Sequence, residues 1–161
     1  MYIPFNNLPD SARVWIYQSN REFNKEELNK INEILKEFNN TWNNHGEGLK
    51  SSFIVKYNRF IVLGIDENYH EASGCSIDSS VQVMKKIESE FDVELFDRMK
   101  TAFKVEENIN IVSLADFQKY VKEDKINQDT IVFNNMVETV GDFKSKWEVS
   151  AKNSWHSRFF V

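Results

Sequence analysis

Two apolar segments that lie only two residues apart place the strongest constraint on the fold of this chain. They are Ser52–Tyr57 and Phe60–Asp66, and only Asn58 and Arg59 separate them. Both segments are rich in β-branched and aromatic residues, which favour strands. Strands joined by so short a connection pair with each other, so the sequence predicts an antiparallel β-hairpin over residues 52–66.

Helical periodicity is present on both sides of this hairpin. Apolar residues recur at helical spacing before it, at Leu28, Ile31, Leu35, Phe38 and Trp42, and after it, at Ile77, Val81, Met84, Ile87 and Phe91. Asn24 and Glu27 match a capping box at the start of the first helix. The second helix is predicted to begin near Ser76. The sequence therefore predicts two amphipathic helices, one before and one after the hairpin.

The order of these elements indicates an α+β fold. A strand at Arg13–Gln18 precedes the first helix. The order strand, helix, strand, strand, helix is that of a ferredoxin-like sandwich, with helices on one face of a largely antiparallel sheet. Its fourth strand is predicted from Ala102–Val105 or from Ile109–Val112. A short third helix at Ser113–Lys122 and a late strand at Thr130–Phe133 complete the prediction.

Chain length and aromatic content predict a single globular domain over residues 1–161. With 161 residues, 41% of them hydrophobic, the chain is long enough to bury one core and too short for two ordinary domains. The final segment, residues 137–161, keeps five large aromatic side chains, Phe143, Trp147, Trp155, Phe159 and Phe160. Such apolar surface is unfavourable in water, so we expect this segment to pack back on the domain as a C-terminal extension.

Charge and cysteine content narrow the class of function. The formal net charge of −5 argues against general nucleic-acid binding, which depends on Lys and Arg to neutralise phosphates. A single cysteine cannot form an internal disulfide, and the first residues lack the pattern of a secretory signal. No apolar run approaches the roughly 20 residues that cross a bilayer. We therefore expect a soluble cytoplasmic protein without membrane association, whose oligomeric state the sequence leaves open.

The loop and helix start over residues 66–80 are predicted to form the functional site. This stretch holds the only cysteine, Cys75, directly after Gly74, where the free N–H groups of a helix start favour an anion, either a thiolate or a ligand. His70 is placed to take the thiol proton, and Asp66 or Asp78 to orient the imidazole. One hypothesis is therefore a thiol-dependent enzyme with Cys75 as nucleophile, His70 as base and Asp66 as third group. The alternative is that Cys75 is a buried small hydrophobe.

A second hypothesis, which we favour, is the binding of a small anionic ligand or a partner at the same helix start. Its predicted ligand-binding residues are Ser73, Gly74, Ser76, Asp78, Ser79 and Ser80, joined by His156 and Arg158 from the C-terminal segment. Hydroxyl groups and backbone N–H groups of this kind hold phosphates and carboxylates. The alternative for the serines is ordinary helix capping.

A third hypothesis is a protein interaction module without a small-molecule site. Its anchors would be Trp15, Trp155 and Phe159, provided that they are exposed. The basic and aromatic residues of the C-terminal segment also suit the stacking of single-stranded nucleic acid, but the acidic total charge favours a structural role for them. One cysteine and three scattered histidines lack the paired spacing of a zinc site, so no metal and no cofactor is predicted.

Three segments together resemble a known family. Arg13–Ser19, His70–Ser80 and Ser154–Phe159 are similar to those of a family of small bacterial proteins of unknown function, which are often catalogued as ABC transporter ATPases. The resemblance spans most of the chain and implies a single compact domain that shares the 66–80 loop. It implies no established activity. The chain has no G-x-x-x-x-G-K-[ST] phosphate loop, since Gly48-Leu-Lys-Ser51 lacks a glycine before the lysine, so ATP hydrolysis is not predicted.

Overall fold

The computed structural model describes every residue from Met1 to Val161. These residues group into two compact units: unit 1 comprises Met1–Phe96 and Glu138–Gly141, and unit 2 comprises Asp97–Val137 and Asp142–Val161. Both units combine helices with antiparallel sheets, which confirms the α+β class. The single-domain organisation stays a prediction. No helix has the length and apolar character needed to span a bilayer.

Unit 1 contains the hairpin and the two long helices. Its elements are β1 (Arg13–Gln18), α1 (Lys25–Thr41), β2 (Asn43–Asn44), β3 (Glu47–Gly48), β4 (Ser51–Lys56), β5 (Phe60–Ile65) and α2 (Gly74–Phe91). β5 lies between β1 and β4 and is antiparallel to both, while β2 and β3 form a small separate hairpin. The predicted first strand, main hairpin and both helices are confirmed. The second helix begins two residues earlier than predicted, because Ser73 caps it.

The core of unit 1 lies between the two helices and one face of the three-stranded sheet. Alternate residues of β5 enter this core together with the apolar stripes of α1 and α2; among them are Ile61, Leu63, Ile65, Ile31, Leu35, Met84 and Ile87, all fully buried. The other face of β5 is covered by the N-terminal segment. A Cβ atom on Gly64 would lie only 2.6 Å from Cδ1 of Leu8, so glycine allows this close approach.

The predicted fourth strand of a ferredoxin-like sheet is wrong. Both candidate segments lie in unit 2, as β6 (Lys100–Val105) and β7 (Asn108–Ser113), and they pair with each other. Only two residues separate them, and the first, Glu106, has a φ of 55° that suits a tight turn. The backbone groups that face each other across these two strands are therefore satisfied locally. In unit 1, the N–H of Val14 on β1 instead bonds to the C=O of Glu138 at 2.9 Å.

Unit 2 is built on a four-stranded sheet in the order β7, β6, β8 and β9. β8 (Ile131–Phe133) confirms the predicted late strand, and α3 (Leu114–Lys122), capped by Ser113, confirms the third helix. The C-terminal segment contributes α4 (Val140–Lys146), β9 (Glu148–Ser150) and two 3-10 segments, Ala151–Asn153 and Trp155–Phe160. Phe159 and Phe160 pack against a core formed by Phe103, Phe117, Ile126, Val132 and Ala151. The segment thus packs back as expected and also completes a sheet.

The turn of the main hairpin offers a test of local conformation. Tyr57 and Asn58 both have positive φ values, 52° and 56°, as in a type I′ turn. A bulky side chain is unfavourable in that region, whereas asparagine tolerates it. Tyr57→Asn is therefore expected to raise the free energy of unfolding by about 1 kcal/mol, measured by urea denaturation. Tyr57→Phe keeps a bulky ring at the same φ and should not raise it, and an equal increase in the two variants would contradict this account.

Candidate functional site

The connection from β5 to α2 begins at Asp66, whose carboxylate closes a turn. Its Oδ1 accepts a hydrogen bond of 3.1 Å from the backbone N–H of Asn68, and the residue is buried. Its backbone C=O accepts a second bond from the N–H of Tyr69. No hydrogen bond or ion pair joins the carboxylate to His70. The structure therefore does not bring together the predicted pair of His70 and Asp66.

A reciprocal capping box starts α2. Oγ of Ser73 accepts a hydrogen bond of 3.1 Å from the backbone N–H of Ser76, and Oγ of Ser76 accepts one of 3.3 Å in return from Ser73. Oγ of Ser76 also donates to the C=O of Asn43 at 3.0 Å. Ser76 is buried. The capping alternative therefore describes these two serines, since their hydroxyl groups already stabilise the helix start.

The next two serines bond within the helix as well. Oγ of Ser79 donates to the C=O of Cys75 at 3.0 Å, and Oγ of Ser80 donates to the C=O of Ile77 at 2.6 Å. Ser80 is buried, whereas Ser79 is exposed. All four predicted hydroxyl groups thus have partners in the protein. They do not form a free cluster for an anion.

The backbone of the first helical turn remains open. Gly74, Cys75 and Asp78 are exposed, and no atom outside the helix lies within 4 Å of a Cβ built on Gly74. The cap engages the N–H of Ser76, while the N–H groups of Gly74 and Cys75 make no hydrogen bond within the protein. Two donors at the positive end of an 18-residue helix are therefore accessible.

Cys75 lies beside a shallow depression of about 330 Å³ in unit 1. The thiol is free and exposed, so the alternative of a buried small hydrophobe is wrong. The depression is lined by Phe38, Thr41, Trp42, Asn43, His45, Cys75 and Ser79. It combines an apolar wall from α1 with an imidazole and a thiol. The histidine that shares this depression with Cys75 is His45.

Long-range bonds place His45 at this position. The β2–β3 hairpin, which carries His45 at its turn, is held against the start of α2. Nε1 of Trp42 donates to the C=O of Ser76 at 2.8 Å, and Nδ2 of Asn44 donates to the C=O of Glu71 at 2.9 Å. The residues around His45, Asn43-Asn-His-Gly-Glu-Gly48, are rich in asparagine and glycine. Their turn composition is a local signal, but no local signal indicated what the turn would contact.

His70 has a different neighbour. Its Nε2 lies 3.7 Å from Oε2 of Glu47, and its ring meets that of Tyr69 edge-on, with centroids 5.0 Å apart. The ring does not line the depression beside Cys75. The structure therefore does not bring His70 and Cys75 together, and His45 is the histidine that lines the same depression as the thiol.

His156 and Arg158 lie in unit 2, whereas Cys75 lies in unit 1. His156 is completely buried, with Nε2 at 2.6 Å from Oγ1 of Thr101 and Nδ1 at 2.7 Å from Oγ of Ser154. Burial and, to a smaller extent, the charge of Arg158 together lower the pKa of His156 to about 4. Both ring nitrogens are thus occupied inside unit 2. His156 has a structural role there and offers no free nitrogen to a ligand.

The three aromatic residues predicted as interaction anchors are only partly exposed. In unit 1, Trp15 packs against the core and lies 6.2 Å from Trp42 between ring centroids. In unit 2, Trp155 stacks on His156 at 3.8 Å, and Phe159 packs against the core of that unit. Their rings mainly support the fold. No group of three or more His, Cys, Asp or Glu side chains is placed to hold a metal ion.

Comparisons with protein-family models, with curated proteins and with solved structures found no significant match to this chain. The resemblance noted from the three sequence segments therefore stays a prediction.

Proposed function

We propose that this protein binds a small ligand with an anionic group in the depression beside the first turn of α2. The observation that carries the proposal is the pair of free N–H groups at Gly74 and Cys75, next to a concave surface. A helix start of this kind stabilises a phosphate or carboxylate through hydrogen bonds and the helix dipole. The donors are backbone groups rather than the serine hydroxyls that the sequence suggested.

The walls of the depression suit a ligand that also has an apolar part. Phe38 and Trp42 contribute aromatic surface, with ring centroids 4.8 Å apart, while His45 contributes an exposed imidazole. Small-molecule sites typically combine such apolar walls with a few polar groups that fix orientation. Unit 1 has more acidic than basic residues. Binding therefore depends on short-range contacts at the helix start rather than on long-range attraction.

Replacement of Gly74 by proline provides a selective test with inorganic phosphate as the probe. Gly74 is the first helical residue, a position that favours proline, and Ser73 before it has the extended backbone that proline requires, with φ −89° and ψ 169°. The variant thus loses one N–H donor and keeps the helix. We expect phosphate to shift the amide NMR signals of Gly74 and Cys75 in the natural sequence, and Gly74→Pro to weaken binding about tenfold.

Gly74→Ala is the matched control, because it keeps the N–H group and its added methyl group lies in open space. It should bind phosphate as the natural sequence does, and Cys75→Ser should do the same. Equal binding by the Gly74→Pro and Gly74→Ala proteins would show that this donor is not used. The absence of any shift at Gly74 and Cys75 with phosphate at about 10 mM, a weak-binding concentration, would contradict the proposal.

A second candidate function is thiol chemistry at Cys75, with His45 in place of His70 as the base. The observation that favours it is the shared depression of an exposed thiol and an imidazole. In this mechanism His45 accepts the thiol proton, and Sγ of Cys75 attacks an electrophilic carbon of the substrate. A leaving group departs from that carbon and takes up the proton that His45 returns. Imidazole is the side-chain group that most often serves as a general base.

Alkylation by iodoacetamide at neutral pH distinguishes the two histidines. The sulfur of Cys75 forms a bond to the acetamide carbon and iodide leaves. His45→Gln is expected to slow this reaction severalfold, whereas His70→Gln should leave the rate unchanged. Mass spectrometry of the modified protein gives the rates. An unaltered rate in the His45→Gln protein would remove His45 as the base and leave only the binding function.

A further inference from the structure

The free edge of β4, on unit 1, has unpaired backbone groups. Ser51 directs both its N–H and its C=O away from β5, since they bond to Met1 and Ile3 of the N-terminal segment at 3.0 and 2.9 Å. Backbone direction alternates along a strand, so Phe53 and Val55 also direct their N–H and C=O groups outward. These groups have no partner in the protein. Phe53 and Val55, whose outward backbone groups are unpaired, therefore follow on the same edge as Ser51, whose outward groups are already paired.

This edge lacks the features that usually prevent strand addition. β4 contains no proline and no bulge, and its only charged residue, Lys56, is the last one. The first contact of the edge is itself a parallel pairing, between Tyr2 and Ser51. The geometry of the strand thus already accepts a neighbour on this side.

A groove follows the same edge. It has a volume of about 330 Å³ and is lined by Tyr2, Leu28, Asn32, Phe53, Ile54, Val55 and Asn58. Phe53 and Val55 are half-buried and pack against the core under α1. Side chains of an added strand would alternate in direction, so every second one would enter this apolar groove.

The charges around the groove select for an acidic occupant. Lys25 and Lys36 lie seven residues before and four residues after Asn32 in α1, hence on the same helix face. Nζ of Lys36 lies 5.8 Å from the ring of Tyr2, at the groove wall. Lys56 lies at the far end of β4, and no Asp or Glu lines the groove. This positive border lies on a unit in which acidic residues outnumber basic ones.

We propose that the edge of β4 docks an extended peptide segment of a protein partner, in which apolar side chains alternate with Asp or Glu. The peptide pairs with the open backbone groups of Phe53 and Val55 and adds a fourth strand to the sheet of unit 1. Its apolar side chains enter the groove on the α1 side, beside Leu28. An Asp or Glu at the end of the segment faces Lys36 on that side, and the carboxylates that alternate to the other face of the sheet lie on the side of Lys56. Backbone bonds supply affinity and the groove with its lysines supplies specificity, as in other cases of strand addition.

Selection of peptides on the whole chain tests this proposal. A phage-displayed library of random peptides about nine residues long, slightly longer than a typical strand, is selected on the immobilised protein. We expect enrichment of sequences that alternate apolar and acidic residues. One enriched peptide, synthesised with a fluorescent label, then gives dissociation constants by fluorescence anisotropy for the natural sequence and for each variant.

Val55→Pro and Val55→Ala form the decisive pair of variants. Both remove the valine side chain, but only proline removes the outward N–H, which takes no part in the pairing with β5. We expect the dissociation constant of Val55→Pro to exceed that of Val55→Ala about tenfold. Lys36→Glu should weaken binding comparably, and it keeps the test valid if the proline variant fails to fold. Lys30→Glu, at an exposed residue on another face of α1, should have no effect.

Three results would overturn the proposal. The first is a selection that enriches no peptide, or enriches basic ones. The second is an enriched peptide that binds the Val55→Pro and Val55→Ala proteins equally and is insensitive to Lys36→Glu. The third is a concentration-dependent dimer of the natural sequence that Val55→Pro abolishes, since a second copy of the chain would then occupy the edge.

Discussion

Unit 2 is expected to lose stability steeply as the pH falls from 6.5 to about 4, because His156 is held neutral inside it. Burial lowers the pKa of this imidazole in the folded state, and the cation of Arg158 adds to the effect. The unfolded chain binds a proton throughout this range, whereas the folded chain excludes it. The free energy of unfolding therefore decreases with decreasing pH, by about 3 kcal/mol in total at the usual value per pKa unit.

This pH dependence arises from a chain of hydrogen bonds in which the ring of His156 lies between two hydroxyl groups. Thr101 and Ser154 bond to opposite nitrogens of His156, at 2.6 and 2.7 Å. A neutral imidazole donates from one nitrogen and accepts at the other, and hydroxyl groups satisfy both roles. A protonated ring would be buried without a carboxylate among these partners, while Arg158 repels it. Below the folded-state pKa both states are protonated, so the loss ends there.

Urea denaturation at a series of pH values, followed by tryptophan fluorescence, measures this effect. His156→Gln is expected to be less stable near neutral pH by about 1–3 kcal/mol, because it disturbs a buried hydrogen-bond chain. Its stability should then lack the dependence between pH 6.5 and 4. Arg158→Gln should keep the dependence and reduce its size. The same pH slope in the natural and His156→Gln proteins would show that another group is responsible.

Removal of Arg21 is expected to destabilise unit 1 by about 2 kcal/mol, after allowance for the partial exposure of this side chain. Its guanidinium makes two hydrogen bonds of 2.8 Å to the carboxylate of Glu27 at the start of α1. It also donates to the C=O of Phe91 at the end of α2, at 2.6 Å. Arg21→Ala breaks these three charge-assisted bonds and a fourth, to the C=O of Glu22 at 3.0 Å. Arg21→Lys should recover only part of the loss, because a single ammonium group cannot reproduce the bidentate geometry.

The stabilisation by the contact between Arg21 and Glu27 also depends on pH, but over a lower range. The Arg21 hydrogen bonds, and then the backbone N–H of Asn24, lower the pKa of Glu27 from 4.5 to about 2. The stabilisation is therefore complete above pH 4.5 and is lost as the pH falls towards 2. Glu27→Gln keeps the capping bond to Asn24 but removes the charge. It should remove this low-pH loss, whereas Glu26→Gln, at an exposed position beside Lys30, should retain it.

The two windows separate the two contacts experimentally. The loss of stability due to His156 occurs above pH 4, and the loss due to Glu27 occurs mainly below pH 4.5. A denaturation series in the Glu27→Gln protein should keep the upper dependence and lose the lower one. The His156→Gln protein should show the reverse. A single variant that removed both dependences would contradict the assignment of each window to one residue.

Local features of the fold were predictable from the sequence because their causes lie within a few residues. The capping box of Asn24 and Glu27 forms as predicted, with reciprocal bonds of 2.8 and 2.9 Å. The apolar stripes of α1 and α2 and the short connection in the main hairpin act over the same range. Hydrophobic periodicity and turn length therefore predicted the α+β class and most of the helices and strands.

The choice of strand partners was not predictable in this way. Residues 102–105 and 109–112 were alternative predictions for one strand. Both are extended, and their pairing depends on which backbone groups they meet. A short turn at Glu106 lets them satisfy each other, so neither joins β1. Intrinsic β-propensity favours the extended conformation of a segment but does not determine which strand it pairs with. The ferredoxin-like fourth strand failed for that reason.

In the candidate site, too, local features were predictable from the sequence and long-range contacts were not. The sequence by itself determined that a lone cysteine, Cys75, directly follows Gly74 at the start of a helix. Only the tertiary structure decided that His45, thirty residues earlier, lines the same depression as Cys75, and that His156 is buried in unit 2. Those placements depend on contacts between distant residues, such as the bond from Trp42 to Ser76. A cap is set by neighbours along the chain, whereas a site is set by which distant surfaces pack together.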